Sequence, residues 1–197
     1  MFVMIESPSC NVSFGAKFVR NAKIKKLNPL SKGYEKMQVS FVRIDPKNLS
    51  DINALGRVAD TWVNEKFAST IYNRALSLRK GGIDLNSKIF AITSQKDNFK
   101  KLDADRILGV AEIEELTPKS CYLGHIQVDP NHIYYEVPPF KGVGTAILNR
   151  LKDMYSQISL NSAPECSVRH FYEMNGFQRV SEDSLKYYWQ KDKFFMI

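Results

Sequence analysis

Apolar and polar residues alternate along the chain with two different periods, and each period predicts one kind of secondary structure. A period of two predicts strands, and recurrence every three to four residues predicts amphipathic helices. The predicted strands cover residues 37–44, 87–95, 106–116, 120–128, 158–160, 177–180 and 185–191. The predicted helices cover residues 52–63, 65–79, 142–157 and 164–175. Strands and helices mixed in this order predict an α/β (α+β mixed) fold around one sheet.

Turn residues separate these segments and sharpen two of the predictions. The short "TPK" at 117–119 joins two strands and predicts an antiparallel hairpin. Gly81 follows the second predicted helix and Gly176 follows the last one. Glycine is common just past the end of a helix, so both boundaries agree with the apolar pattern.

The composition is that of a globular protein that needs neither a metal nor a disulfide to fold. The 197 residues are 44% hydrophobic and 25% charged, and a chain of this length can bury a substantial core. The three cysteines and three histidines lack the spacing of a zinc cluster or a disulfide framework. No run approaches the roughly 18 apolar residues of a membrane helix. We expect one soluble domain in a reduced, cytoplasmic compartment, without membrane contact.

Positive charge is concentrated at the start of the chain. Residues 1–36 contain seven Lys or Arg and two Glu, so they carry +5 of the chain's net charge of +7. We interpret residues 1–36 as a basic N-terminal extension and residues 37–197 as the main domain. Such an extension could contact RNA or an acidic partner, and a solvated segment without a partner is the alternative.

The segment "PPFKGVGTAILNRL", residues 138–151, places two glycines where a predicted helix begins. Free N–H groups at a helix start favour an anion, and glycine lets the backbone approach a ligand closely. A tight loop before an ordinary surface helix is the alternative. The segment lacks the Gly-Lys-Ser/Thr of a Walker loop. It also has Ile147 where the dinucleotide-binding fingerprint has Gly or Ala, and prolines where that fingerprint has a strand.

Three blocks, in this order, resemble the GNAT superfamily of acyl-CoA-dependent N-acyltransferases. They are "CYLGHIQVDP" at 121–130, "KGVGTAIL" at 141–148 and "FYEMNGF" at 171–177. The resemblance implies a central mixed, mostly antiparallel sheet flanked by helices. It also implies direct transfer of an acetyl group from acetyl-CoA, as co-substrate, to an amine of a small molecule or a protein, without a metal. A non-catalytic acyl-CoA-binding or interaction module with the same fold is the alternative.

The same resemblance implies two contact regions for acetyl-CoA. Backbone N–H groups at the start of the third helix would meet the pyrophosphate, with a lysine charge beside it. The end of the strand at 120–128 would diverge from its neighbour and bind the pantetheine amides and the thioester oxygen. A plain buried strand is the alternative for this segment. The implied cofactor-binding residues are Ile126, Gln127, Val128, Lys141, Gly142, Val143, Gly144, Thr145 and Asn161.

Tyr172, in the third block, is implied as the general acid that protonates the departing thiolate, because a tyrosine hydroxyl is a proton donor at neutral pH. Packing on an amphipathic helix is the alternative for this residue. The general base is left open between His125, Glu112 and Glu114, and a structural role is the alternative for the histidine. Strand alternation places Glu112 and Glu114 on one face, and His125 on the same face as Leu123.

Three features depart from the family pattern. The asparagine that often lies one turn before the Phe-Tyr pair is Glu165 here, so Asn161 is the expected substitute for that cofactor contact. Pro139 occupies a position, three residues before the first loop glycine, that usually holds Arg or Gln, so one phosphate contact is either missing or supplied by Lys141. The connection at 131–139 is several residues longer than usual. Its tyrosines Tyr134 and Tyr135 could line the acceptor site, form a homodimer contact or decorate a loop.

Overall fold

A computed structural model describes residues 15–62, 66–82, 86–132 and 136–191 of the protein. The strands in this part of the chain are β1 Lys17–Leu27, β2 Tyr34–Arg43, β3 Ser87–Thr93, β4 Ile107–Thr117, β5 Ser120–Val128, β6 Phe140–Lys141, β7 Gln157–Asn161, β8 Gln178–Arg179 and β9 Lys186–Gln190. The α-helices are α1 Leu49–Thr61, α2 Phe67–Arg79, α3 Val143–Met154 and α4 Cys166–Met174. None of these helices is long and apolar enough to cross a membrane.

The nine strands form one sheet in the order β6-β1-β2-β3-β4-β5-β7-β9-β8. Neighbouring strands run antiparallel, except β5 and β7, which pair in parallel. This arrangement confirms the predicted α/β (α+β mixed) fold, with its central mixed and mostly antiparallel sheet flanked by helices. The predicted hairpin is the turn between β4 and β5. The predicted order of elements is confirmed, and β1 and the two-residue β6 are added to it.

Strand β1 lies within the segment that the charge pattern had assigned to a separate basic extension. Residues 17–27 pair with β2, and β2 begins at Tyr34 rather than at residue 37. The boundary drawn at residue 37 is therefore too late, because the sheet already includes part of residues 1–36. Only Ala22 and Ile24 of β1 are buried, and lysines at the exposed positions hide the alternation. Residues 1–14 lie outside the described ranges.

The sheet separates two hydrophobic cores. One core lies beneath α3 and α4 and includes Phe90 and Ile92 of β3. The other lies beneath α1 and α2 and includes Ile89 and Ala91 of the same strand. Since helices cover both faces of the central strands, a ligand can reach the middle of the sheet most readily where two strands separate.

Candidate active site

Strands β5 and β7 separate halfway along β5. Their parallel pairing runs from Ser120 opposite Gln157 to Leu123 opposite Leu160, and it ends there. The other edge of β5 stays paired with β4 as far as Val128. Residues 124–128 therefore have one strand edge to which no described strand is paired, as the resemblance implied. We call this region the split.

A bulge in β5 lies at the start of the split. Ile113 pairs with Leu123 and the preceding Glu112 pairs with His125, so Gly124 is an extra residue in the ladder. Residues directly opposite each other share a face of the sheet. Leu123 and His125 consequently lie on opposite faces, and the expectation that they share a face is wrong. A Cβ atom on Gly124 would lie 3.0 Å from the Glu112 Oε2 atom, which explains the glycine at this position.

Glu112 is buried on the α2 side of the sheet and accepts three hydrogen bonds. Its Oε2 atom is 2.8 Å from His125 Nδ1, and its Oε1 atom is 3.1 Å from both Arg74 Nε and Ser87 Oγ. Burial raises the pKa of Glu112, but the hydrogen bonds from His125 and Ser87 and the charge of Arg74 outweigh it and hold that pKa below its ordinary value. Glu112 is therefore ionised at neutral pH, with both carboxylate oxygens occupied.

His125 is oriented by this carboxylate. An ionised carboxylate can only accept hydrogen bonds, so Nδ1 of His125 carries the ring proton and donates a hydrogen bond to Glu112 Oε2. The Nε2 atom of a neutral imidazole then has a free lone pair, which can accept a proton. The His125 side chain is 29% exposed, and its ring centre lies 5.7 Å from that of Phe67 at the start of α2. Of the candidates for a general base, His125 therefore has the accessible basic atom and Glu112 does not.

Glu114, the third candidate for a base, lies further along β4. It is exposed and pairs with Tyr122, before the bulge and outside the split. It shares a face with Glu112, as the alternation predicted, because no register shift separates the two along β4 itself. The structure thus brings Glu112 and His125 together and leaves Glu114 apart from them.

Gln127 has a role that the sequence did not indicate. Its side chain is buried, and its Oε1 atom accepts a hydrogen bond of 2.6 Å from the backbone N–H of Ala68 in the first turn of α2. The N-cap residue Lys66 makes no side-chain cap of its own. A residue 59 positions away thus caps α2 and holds the start of that helix against β5. The expected role of Gln127 in cofactor binding concerned its backbone, but the Asp129 N–H donates to the Leu108 carbonyl, so the backbone groups of Gln127, two residues earlier, face Val110 of β4. The free edge therefore presents the backbone groups of Ile126 and Val128.

Tyr172 lies on the opposite side of the sheet, between α4 and the first core. Its ring is 6% exposed and packs against Phe171, Phe177 and Tyr187, with centroid distances of 5.2, 5.8 and 6.0 Å. Among the described residues, none hydrogen-bonds to its hydroxyl. Burial, with a smaller contribution from Tyr122, raises the pKa of Tyr172 to about 12. The hydroxyl therefore stays protonated at neutral pH, and its proton is free to be donated.

The start of α3 forms the second predicted contact region. Its N-cap Gly142 has a φ of 79°, a left-handed conformation that glycine adopts without strain, and no atom lies within 4 Å of the position of a Cβ there. The first helical hydrogen bond runs from Ala146 N–H to the Gly142 carbonyl, so the N–H groups of residues 143–145 precede the helical ladder. These groups point toward an open helix end, as an anion site requires.

Three neighbouring residues, Lys141, Gly144 and Pro139, complete this region. Lys141 is exposed, and its Nζ atom lies 4.2 Å above the centre of the Tyr34 ring. Gly144 packs closely against Phe171, because a Cβ there would lie 3.0 Å from Phe171 Cζ. The Pro139 carbonyl accepts a hydrogen bond of 2.9 Å from Leu27 N–H, so β1 anchors the loop at the position where Arg or Gln was expected.

The remaining sequence predictions fall at the edge of the site or outside the described residues. Asn161 is the last residue of β7, lies opposite Lys186 and is exposed. No hydrogen bond links it to the α3 start within the described ranges. Tyr134 and Tyr135 lie outside the described residues, so their expected acceptor or homodimer role stays a prediction.

No family model and no curated protein matches the sequence. A Desulfovibrio desulfuricans structure assigned to the GNAT family of acetyltransferases has a TM-score of 0.52 and 16% identity, over 77% of this chain and 98% of that one. A Corynebacterium glutamicum structure described as histone acetyltransferase HPA2 and related acetyltransferase has a TM-score of 0.52 and 14% identity, over 82% and 100% of the two chains. Campylobacter jejuni N-acetyltransferase PseH, solved with acetyl coenzyme A, has a TM-score of 0.48 and 18% identity, over 77% and 99%. The chain has the GNAT fold.

Proposed function

We propose that the protein is an acetyl-CoA-dependent N-acetyltransferase that moves an acetyl group directly to an amine. The observation that carries this proposal is the ionised Glu112 bound to His125 at the bulge where the free edge of β5 begins. The protonated hydroxyl of Tyr172, on the other side of the sheet, supports the proposal as a candidate proton donor. The GNAT fold, shared with structures named as acetyltransferases, supports the same class of reaction.

Two regions of the chain fit acetyl-CoA. The N–H groups of residues 143–145 bind the pyrophosphate at the start of α3, where the helix dipole favours negative charge and Gly142 leaves open space. Lys141 directly precedes this turn, but its side chain points to the other face of the sheet, with Nζ over the Tyr34 ring, so the backbone N–H groups are the proposed pyrophosphate contacts. Ile126 and Val128 bind the pantetheine amides through their backbone groups on the free edge of β5. Acetyl-CoA bound in this way supplies an activated acetyl thioester at the split.

His125 acts as the general base. Its Nε2 atom takes the proton of the attacking amine, while Glu112 fixes the tautomer of the ring and stabilises the imidazolium that forms. Glu112 is a weaker candidate for the base itself, because its pKa is held low and three donors occupy its oxygens. The exposed ring of Phe67 beside His125 supports an amine acceptor on the α2 side of the sheet.

Tyr172 acts as the general acid from the opposite side. As the bond from the amine nitrogen to the acetyl carbon forms, the carbon–sulfur bond breaks, and the Tyr172 hydroxyl donates its proton to the departing sulfur. A backbone N–H on the free edge of β5 stabilises the negative charge that develops on the acetyl oxygen. The amine proton remains on His125, and solvent exchange then restores both residues.

The proposal is tested by incubating the full chain with acetyl-CoA and a panel of amines. The panel contains alkylamines, amino sugars, amino acids and lysine-containing peptides, and both free thiol and acetylated product are measured. We expect thiol release that depends on one class of amine. Calorimetry on the same preparation measures acetyl-CoA binding separately. Binding without turnover on any amine would assign the chain to the non-catalytic acyl-CoA-binding alternative, and absence of binding would overturn the assignment of the α3 loop.

A further inference from the structure

The β1–β2 hairpin carries a row of lysines on one face. Lys25 of β1 lies directly opposite Lys36 of β2 on one side and opposite Lys141 of β6 on the other. Lys23 precedes Lys25 by two residues and points to the same face. The neighbouring Ile24 is buried in the core beneath α3, so the lysines point to the opposite side of the sheet. We call Lys23, Lys25, Lys36 and Lys141 the lysine row.

This arrangement works against the stability of the hairpin. Residues directly opposite each other in an antiparallel pair have Cα atoms about 4.5–5.5 Å apart, and like charges at that separation repel. All four side chains are exposed, and in the described ranges none of them pairs with a carboxylate. Glu35 lies opposite Lys26 on the other face and accepts a hydrogen bond from the Asn28 side chain. Four lysines with no internal counter-charge form a surface of positive potential that attracts an external anion.

An exposed aromatic ring lies on the same face. Phe18 of β1 is 48% exposed and lies opposite Val42. Val42 faces the α1–α2 core, and it shares its face of β2 with Lys36, six residues earlier. The ring of Phe18 stacks on Phe99, with a centroid distance of 5.8 Å and an angle of 22° between the planes. The face therefore combines a stacking ring with a row of positive charges.

We propose that this face of the β1–β2 hairpin binds single-stranded nucleic acid. Proteins that bind single strands combine a basic surface that follows the phosphates with aromatic rings on which bases stack. Lys23 and Lys25 are about 6.6–6.8 Å apart along the strand, so the row presents repeated charges rather than one phosphate pocket. The carboxylates of an acidic peptide would pair with the lysines, but they would not require the exposed Phe18 ring for binding. Lys141 directly precedes Gly142, so the lysine row reaches the α3 loop, although the proposal does not depend on acetyl transfer.

The experiment measures binding of the full chain to a fluorescent deoxythymidine 20-mer, by anisotropy at several salt concentrations. We expect affinity to fall as salt rises, with a logarithmic slope of about −2 to −3 if the four lysines each contact a phosphate. The triple variant Lys23→Glu, Lys25→Glu, Lys36→Glu should lose at least about tenfold in affinity, and most of the slope. A control triple of exposed lysines with the same change in net charge should lose less than about threefold. The control residues are Lys47, Lys119 and Lys186.

A second variant separates stacking from charge. Phe18→Leu keeps an apolar contact with Phe99 but removes the ring, so affinity should fall by about tenfold while the salt slope stays unchanged. The melting temperature of the same preparation verifies that the variant is folded. Absence of binding at low salt, or equal losses in the two triple variants, would overturn the proposal. Polyglutamate binding with the same slope and no effect of Phe18→Leu would also overturn it, in favour of an acidic protein partner.

Discussion

The two faces of the sheet bury ionisable groups in contrasting surroundings. On the α2 side, the Glu112 carboxylate accepts hydrogen bonds from His125, Arg74 and Ser87. On the α4 side, the Tyr172 hydroxyl has aromatic neighbours and no hydrogen-bond partner among the described residues. Burial alone would raise the pKa of both groups. The effect of burial prevails only in Tyr172, so the Tyr172 hydroxyl stays protonated at neutral pH while the Glu112 carboxylate stays ionised.

Under the proposed function, this contrast explains how an acid and a base on the two faces of one sheet keep different protonation states. Two groups whose surroundings move their pKa values in opposite directions keep their separate protonation states at one pH. The side of the sheet with donors holds the proposed base, and the apolar side holds the proposed acid. Substitutions that remove one of these ionisable groups, or one of its hydrogen-bond partners, test the comparison directly.

The largest effect is expected from His125→Gln on the donor-rich side. Glutamine can still donate a hydrogen bond to Glu112, but it has no atom that takes a proton from the amine. We expect kcat/KM at neutral pH to fall by about 10²–10³-fold, with little change in acetyl-CoA affinity. The loss should shrink at high pH, where the amine is already neutral. His170→Gln, an exposed position on α4, is the control and should keep normal kcat/KM.

A smaller fall is expected from Tyr172→Phe on the apolar side. A thiol has a pKa near 8.5, so a thiolate is a good leaving group and depends less on a general acid than the amine depends on a general base. We therefore expect kcat to fall by about 10–10²-fold. Stability should barely change, since the hydroxyl has no hydrogen bond to lose. Tyr187→Phe is the matched control: Tyr187 is equally buried, but its hydroxyl donates a 3.1 Å hydrogen bond to Glu173.

The control should show the reverse result. We expect Tyr187→Phe to lower the free energy of unfolding by about 0.5–1.5 kcal/mol and to leave kcat per folded molecule unchanged. Measuring kcat and melting temperature on the same preparations separates the two tyrosines. If Tyr172→Phe lost stability but kept its kcat, the packing interpretation would replace the acid.

A third variant tests the start of α3, which is the proposed pyrophosphate site. Thr145→Asp places a negative charge in the first turn of α3, where the helix dipole favours it, so the melting temperature should stay the same or rise. The same charge repels a pyrophosphate, and the dissociation constant for acetyl-CoA should rise by at least about tenfold. Calorimetry measures that constant, and Thr145→Asn is the uncharged control. Gly144 is a poorer test site, since a side chain there would also displace Phe171.

The smallest expected effect concerns stability against pH. Glu112 has a folded-state pKa below its ordinary value of 4.5, so its ion pairs stabilise the fold above about pH 4.5 and are lost as pH falls further. Glu112→Gln should therefore be less stable than the wild type at pH 7, by on the order of 1 kcal/mol, and the difference should shrink in acid. Denaturant unfolding at several pH values measures it. A difference that stays constant down to pH 3 would contradict the assigned ionisation.

Local sequence signals predicted most of the fold. The bounds predicted for β5 are those observed, and Gly176 ends α4 with a φ of 74° and an N–H bonded to the Glu173 carbonyl. Strand β1 escaped prediction, because lysines at its exposed positions leave only Ala22 and Ile24 to mark alternation. Periodicity detects a strand only when one of its faces is consistently apolar.

The site was predicted in part, and its missing parts depend on contacts between distant segments. The free edge of β5 and the helix start at Gly142 followed from the motifs around them. The bulge at Gly124 did not, because it is defined by the register against β4, and it moves His125 to the face of Glu112. The capping of α2 by Gln127 could not be predicted from the sequence either, since its partner, Ala68, is 59 residues away.

The account's central claim is that acyl transfer occurs in the split, between a base on the α2 side and an acid on the α4 side. The most direct test is a crystal structure of the full chain with CoA. We expect the thiol sulfur between β5 and β7, within about 3.5 Å of the Tyr172 hydroxyl, with the pyrophosphate on the N–H groups of residues 143–145. A thiol sulfur outside the split, or one separated from Tyr172 by other side chains, would contradict the claim.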